Sequence, residues 1–345
     1  MWGFSLSRPG RFSTLEAREP IFDDAPEGSL LLRVITVGIC GSDLAPFRQG
    51  GLGDPASVSR AVAEDPEHCG YPLHEVLGEV VASKHPDHDV GTLVVGWASE
   101  RNALAQFCIA DGAGLATYDP TLDVESAIML QPLACVLYAM DQIGSVDNAR
   151  VAVIGLGPIG LLFTHVAKSR GARVVTGIDL VDRRDVGATF GIDEVVWSSS
   201  RQWSAQLGDE RPDVVIEAVG HQVSTMVDAV EAVSFGGTVY YFGIPDDQYY
   251  PFPIARFLRK NLTLIAGVTL ERRLMLEVAN TYLQSHRHLA SIYVSDVYGF
   301  DPESVQQAFD AANRPSEGRF KVAMTLDRRR GVVRGRSSTD PRATT

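Results

Sequence analysis

Val151-Ala-Val-Ile154-Gly155-Leu-Gly157-Pro158-Ile159-Gly160-Leu-Leu-Phe-Thr-His165-Val-Ala-Lys168 is the stretch that decides the fold. Its four apolar leading residues read as a buried strand, a glycine-rich turn follows at once, and helical spacing runs from Ile159 to Arg170. Gly155 permits the tight turn, Gly157 lets backbone approach a pyrophosphate, and Gly160 lets the helix pack closely on the strand. The helix N-terminus would then face the phosphates of a dinucleotide. A strand-to-helix turn uses glycine with or without a ligand, so the flanks matter. The next strand, Arg173–Ile178, leads into Asp179, nineteen residues beyond Gly160. A carboxylate there accepts hydrogen bonds from a ribose 2′-hydroxyl and repels a 2′-phosphate, which favours NAD. Arg183 and Arg184 follow, either as phosphate ligands or as a solvated basic helix start.

Downstream, strands are expected at Asp213–Ala218, Thr238–Phe242 and Leu262–Ala266, with a helix at Ser224–Val233. Strands alternating with helices imply an α/β fold with a doubly wound parallel sheet and right-handed crossovers. Upstream, Leu122–Ile143 has helical spacing interrupted at Pro132, a residue tolerated in a first helical turn. Before it the chain is β-rich: residues 30–40 read as a strand ending at Cys40, and further β-rich stretches cover 76–95 and 105–110. Between them, Arg48 to Gly70 is a polar, glycine- and proline-bearing excursion with a short helical possibility at 57–63, long enough to fold over a substrate.

With 345 residues, 45% apolar and 21% charged, the chain suffices for two ordinary domains and is neither disordered, collagenous nor disulfide-stapled. The uncharged apolar stretch Val151–Ala167 contains three glycines and Pro158, so it suits strand, turn and helix rather than a membrane span. Arg8 and Arg11 are followed by no continuous apolar segment, which removes support for export or anchoring. The net charge of −12 is uneven: residues 1–327 carry 25 basic and 42 acidic groups, whereas 328–345 carry six arginines and one aspartate. So acidic a body argues against nucleic acid as a partner, and the end reads as a disordered basic tail. Four cysteines without a Cys-x-x-Cys pair disfavour a disulfide framework and fit a reducing cytoplasm.

Six separated motifs, in order, resemble the zinc-dependent medium-chain alcohol and polyol dehydrogenases over about residues 25–327. They are Gly38-Ile-Cys40-Gly41-Ser42-Asp43, His74-Glu75-x-x-Gly78-Glu-Val, Leu130-Gln131-Pro132-Leu133-Ala134-Cys135, the glycine turn, Val214-Val-Ile-Glu217-Ala-Val219-Gly220, and Gly236-Gly-Thr-Val. The resemblance implies one catalytic zinc on Cys40 and His74, with Glu75 binding directly or exchanging with water, Gln131 as a further ligand position, and Asp43 supporting the ligands. Thiolate and imidazole suit zinc, and a catalytic site keeps a position open for substrate. It further implies that Ser42 passes the hydroxyl proton onward while hydride leaves carbon for nicotinamide. Gly155, Gly157, Pro158, Ile159, Gly160, Asp179, Arg184, Val219, Gly220 and Gly243 are the expected cofactor contacts.

Departures sharpen the reading. Gln131-Pro132-Leu133, where most relatives have glutamate first, resembles the glucose dehydrogenase branch and points to a sugar, polyol or cyclitol-like alcohol or ketone. Only Cys108 lies between Glu75 and Gln131, so the family's four-cysteine structural zinc lobe is not expected. Leu73 replaces the usual glycine, the Cys40-to-His74 gap is longer than usual, and Ala45 replaces a relay histidine. The expected architecture is a β-rich GroES-like catalytic domain, 1–128 and 269–327, around a Rossmann domain at 129–268, with the site in the cleft and a homodimer or homotetramer as the assembly. A zinc-free enone reductase on the same fold and a non-catalytic nucleotide-binding relative remain as alternatives.

Overall fold

The computed structural model describes residues 1–49, 69–245 and 247–326. The helical possibility at 57–63 and the basic tail at 328–345 lie outside the described residues. An N-terminal antiparallel hairpin, β1 (Trp2–Arg8) and β2 (Arg11–Glu16), comes first. Then follow β3 (Ser29–Gly38), α1 (Gly41–Gln49), β4 (Glu75–Ser83), β5 (Leu93–Trp97), β6 (Phe107–Asp111), β7 (Leu115–Ala116), α2 (Val124–Ala127) and α3 (Leu130–Ile143). Pro132 sits in the first turn of α3, where its missing N–H would lack an intrahelical partner anyway. By length and composition Val124–Ile143 could cross a membrane, yet two thirds of it is buried inside the protein, as a core helix requires.

The parallel half comprises β8 (Arg150–Ile154), α4 (Pro158–Ser169), β9 (Val174–Asp179), β10 (Glu194–Trp197), α5 (Ser200–Gln206), β11 (Val214–Glu217), α6 (Val223–Ala232), β12 (Thr238–Tyr241), α7 (Ile254–Arg259) and β13 (Thr263–Ala266). The chain closes with α8 (Arg272–Ser285), α9 (Arg287–Ile292), β14 (Val294–Tyr298), α10 (Pro302–Ala312) and β15 (Lys321–Thr325). β8 to β13 form one parallel sheet in the order β10-β9-β8-β11-β12-β13, the Rossmann arrangement expected. The second sheet runs β14-β15-β3-β4-β5-β7, with β6 also paired to β3. The C-terminal strands therefore return to the sheet begun by β3.

One apolar cluster joins the halves: Leu77, Val95 and Trp97 of the second sheet and Val151, Val153 and Phe163 of the Rossmann half pack with Leu133, Val136 and Leu137 of α3. Burial of this kind contributes about 25 cal/mol per Å² of apolar surface, which fixes α3 between the sheets. Differences from expectation are local. The β1–β2 hairpin, α1, β10 and α5 were not anticipated; β3 ends at Gly38, so Cys40 lies in the link between β3 and α1; and the residues after Arg183 form turns, not a basic helix start.

Candidate active site and metal centre

Cys40 follows β3, His74 precedes β4, and Glu75 opens β4 directly opposite Gly38. Antiparallel pairing of β3 with β4 thus carries the Cys40 motif to the His74 motif. The ligand atoms of Cys40, His74 and Glu75 lie within 4.8 Å of one another. Thiolate, imidazole and carboxylate, partly to fully buried, make a donor set that zinc accepts, so the residues present fit the metal.

Asp43, in the first turn of α1 and fully buried, organises this set. Its Oδ2 accepts from the Cys40 amide at 2.7 Å, and its Oδ1 lies 2.9 Å from His74 Nδ1 and 3.0 Å from Arg101 Nη2. Burial opposes ionisation of Asp43, but His74, Arg101 and the Cys40 N–H outweigh it and hold its carboxyl below the usual range. For His74, burial opposes the charged ring, while the charge and hydrogen bond of Asp43, with a contact from Cys40, raise it to about 10. For Cys40, burial raises the thiol and so does Glu75, yet the His74 hydrogen bond and charge, aided by Lys321, bring it below its ordinary value. Each group of the Cys40–His74 pair thus stabilises the charged form of the other.

Glu75 is engaged from behind. Lys321 Nζ on β15 lies 2.5 Å from both carboxylate oxygens, aligned as a donor to Oε1, and also donates to the Ile39 carbonyl at 2.9 Å. Gly38 makes room for this pair, since a β-carbon there would come within 2.1 Å of Glu75 Oε2 and 2.9 Å of Lys321 Cε. Gln131 is buried in the first turn of α3, its amide Nε2 donating to Cys135 Sγ at 3.6 Å. Burial pushes the Cys135 thiol up to about 12; Thr269 bonds it, and the charges of Cys40 and Glu75 reach it, which puts this face of α3 beside the Cys40–His74–Glu75 cluster. Ser42 is half-buried and its carbonyl accepts from Arg101; Ala45 is half-buried and carries no proton-transferring group.

At the glycine turn, Gly155 has φ +91° and Gly157 caps α4 with open space where a β-carbon would be. Pro158 starts the helix with Ile159 beside it, and a β-carbon on Gly160 would lie 1.8 Å from the Gly155 carbonyl oxygen. The loops after β11 and β12 close in from the side: a β-carbon on Gly155 would meet Val219 at 2.6 Å, one on Gly220 (φ +80°) would meet Ile244 N at 2.3 Å, and one on Gly243 would meet Gly220 N at 2.1 Å. Glu217 fixes the first loop by accepting from the Val219 and Gly220 amides, each at 3.0 Å. This leaves a backbone cradle without side chains at the N-terminus of α4, a fit for a pyrophosphate.

Asp179 ends β9; its Oδ2 accepts from the Leu156 amide at 2.5 Å and its Oδ1 from Val181 N at 2.7 Å. Each oxygen keeps a further lone pair, so the carboxylate can brace the turn and still accept from ribose hydroxyls. Arg184 is bound to Asp182 and lies over Trp197, and Arg183 is buried with its guanidinium on the Ser316 and Arg319 carbonyls. Both arginines are thus committed to other partners, which favours NAD over NADP.

Arg101 and Lys321 were not anticipated as site residues. Lys321 had a signal, a single charge in the otherwise apolar run Phe320–Leu326; Arg101 had none, since its neighbours Glu100 and Asn102 are as polar as any loop.

The profile of the family described as "Zinc-binding dehydrogenase" matches residues 158–283. The chain is 34% identical over 260 residues, 69% of its own length and 67% of the relative's, to the "Probable zinc-binding alcohol dehydrogenase" of Mycobacterium tuberculosis. It is 27% identical over 283 residues, 72% of its length and 76% of the relative's, to D-arabinitol dehydrogenase 1 of Uromyces fabae. Among solved structures it is similar to an alcohol dehydrogenase from Thermus sp. ATN1, with a TM-score of 0.78 and 25% identity, covering 94% of this chain and all of that one.

Proposed function

The chain belongs to the medium-chain zinc-dependent dehydrogenase family, and on that premise we propose that it exchanges a hydride between NAD and a secondary alcohol of a sugar, polyol or cyclitol-like substrate. It is an oxidoreductase. The convergence of Cys40, His74 and Glu75 within 4.8 Å, behind β-strands that pack on the dinucleotide fold, is the observation that carries this reading.

In this mechanism Cys40 and His74 hold the metal, with Glu75 or Gln131 completing the set. Zinc held there would supply the Lewis acidity that lowers the alcohol hydroxyl's pKa, and NAD in the cradle would supply the hydride acceptor. Asp43 holds His74 by Nδ1 and so turns its other nitrogen to the metal position. Ser42 takes the hydroxyl proton and, being half-exposed with alanine at position 45, releases it to solvent directly. Gly155, Gly157, Pro158, Ile159 and Gly160 receive the pyrophosphate, while Val219, Gly220 and Gly243 border the cofactor. Asp179 takes the ribose, and Arg184 bounds the adenosine end. Residues 1–128 and 269–327 form the catalytic domain and 129–268 the NAD domain, an assignment supported by sheet membership.

Gln131-Pro132-Leu133 and the similarity to an arabinitol dehydrogenase support the polyhydroxylated substrate. A site built to bond hydroxyls rejects analogues lacking them by roughly 10⁴–10⁵ at the extreme, because its buried polar groups go unpaired. Relative kcat/KM for sugars, polyols and cyclitols against hexanol and benzyl alcohol tests this. Polyols should win by at least about tenfold, and a reversed ranking would reject the substrate class while leaving the dehydrogenase reading intact.

Asp179→Ala is expected to weaken NAD binding about ten- to a hundredfold, the worth of a charged hydrogen bond, and to narrow the gap to NADP. A native preference for NADP in kcat/KM would refute that role.

Location in the cytoplasm is supported by the absence of cysteine pairing motifs. The assembly proposed is a homo-oligomer of two or four chains. β13 ends the Rossmann sheet with no further strand beside it among the described residues, and Leu264 on it, Leu258 and Val268 are exposed. An unpaired edge with apolar flanks is a template for pairing with a second copy. Sedimentation should give a dimer or larger at micromolar concentration; a monomer there counts against the assignment.

A further inference from the structure

We propose that Arg101 is a positioning residue for the candidate metal ligands: it ties the loop of Cys40 to the loop of His74 and holds the Asp43 carboxylate in place behind the His74 ring. The inference rests on the metal site proposed above and adds a residue to it.

Arg101 belongs to the short link from β5 to β6. Backbone bonds register this link against the segment before β4: Ala98 N to His74 O at 2.7 Å, Ala103 N to Leu73 O at 3.0 Å, and Leu104 N to Gly70 O at 2.8 Å. Within it Arg101 adopts φ +54°, a left-handed conformation that a long side chain keeps only where its surroundings impose it. The guanidinium then reaches both loops that carry ligands. Nη2 donates to Asp43 Oδ1 at 3.0 Å and to the Ser42 carbonyl at 2.9 Å, and Nε donates to the Pro72 carbonyl at 3.3 Å. Its carbon lies 6.0 Å from the Tyr71 ring centroid.

Coordination chemistry gives this contact its purpose. An imidazole that ligates through one nitrogen is neutral and keeps its proton on the other, here Nδ1 facing Asp43. Among the described residues the ion-pair partners of Asp43 are His74 and Arg101. Without Arg101, Asp43 Oδ1 loses its second donor and the Ser42 and Pro72 carbonyls lose the link between the two loops, so His74 is held by fewer bonds. Arginine suits the place because its planar fork serves a carboxylate and two carbonyls together, which an ammonium on a flexible stem does not.

Zinc affinity by chelator competition and the visible spectrum of the Co(II)-substituted protein, with NAD titration in parallel, test the proposal on the full chain. Arg101→Gln should lower zinc affinity roughly 10- to 100-fold, the usual cost of losing a partner behind a metal ligand, and should alter the Co(II) bands while NAD binding stays the same. Arg101→Lys, which keeps the charge, should recover part of the affinity. In an Asp43→Asn background Arg101→Gln should cost less, because the carboxylate through which Arg101 holds His74 is gone. Wild-type zinc affinity and Co(II) spectrum in folded Arg101→Gln, or an equal loss in the Asp43→Asn background, would overturn the role. If Arg101→Gln does not fold, an Arg101→Lys protein no better than Arg101→Ala in zinc affinity overturns it as well. Wild-type protein that takes up no zinc overturns the metal site itself, an outcome recognisable before any variant is made.

Discussion

Cys40→Ser is expected to abolish metal binding where the native chain takes up about one equivalent of zinc, and to lower kcat/KM beyond the roughly 100-fold that loss of an outer-sphere partner brings. The hydrogen bond and charge of His74 overcome burial and bring the thiol at this position below its ordinary value, whereas a serine hydroxyl remains protonated and offers a poor ligand. The glycine turn and Asp179 belong to the Rossmann sheet and share no hydrogen bond with Cys40, so NAD affinity should hold. Elemental analysis paired with NAD titration measures both halves of the expectation. Retained zinc in the variant, or a native stoichiometry near two or near zero after reconstitution, contradicts the single site.

Lys321→Met should destabilise the fold by about 3–5 kcal/mol, the cost of leaving one member of a buried ion pair alone. At about 1–2 °C per kcal/mol for a chain of this length this is a fall in Tm of about 3–10 °C. Lys321 and Glu75 are 2% and 0% exposed, and no water can replace the ammonium at Glu75 without reopening the packing around Gly38. The Ile39 carbonyl would lose its donor as well. Removing both charges, with Glu75→Gln added to Lys321→Met, should recover much of the loss, because no isolated charge stays buried. Differential scanning calorimetry of the three proteins measures the coupling; a single-variant shift below about 2 °C would mean the pair is more solvated than its burial indicates.

Each element missed in the sequence has a physical cause. β10, Glu194-Val-Val-Trp197, is an edge strand with its ends exposed, so no apolar alternation marks it; α5 is seven residues long; and Pro46 inside α1 reads as a helix breaker although the helix continues through it. Residues Arg11–Glu16 are mostly exposed and gain strand structure only by pairing with β1. Conversely, the Rossmann core was legible because strands buried on both faces must be apolar throughout, and Val151–Ile154 and Val214–Ile216 are.

What the sequence by itself determined are the features whose chemistry is local. The turn from Ile154 to Gly160 requires glycines at particular neighbouring positions, and Asp43 lies three residues from the Cys40 amide it accepts from, so both are written in consecutive residues. The motifs around Cys40 and His74 pointed to the proposed metal ligands for the same reason. Tertiary structure alone decided which charges meet. Arg101 reaches Asp43 across 58 residues, and Lys321 reaches Glu75 across 246. Burial sets the strength of such a pair and strand register sets its existence, and both are properties of the packed sheet β15-β3-β4 and the loops it carries rather than of any stretch of chain.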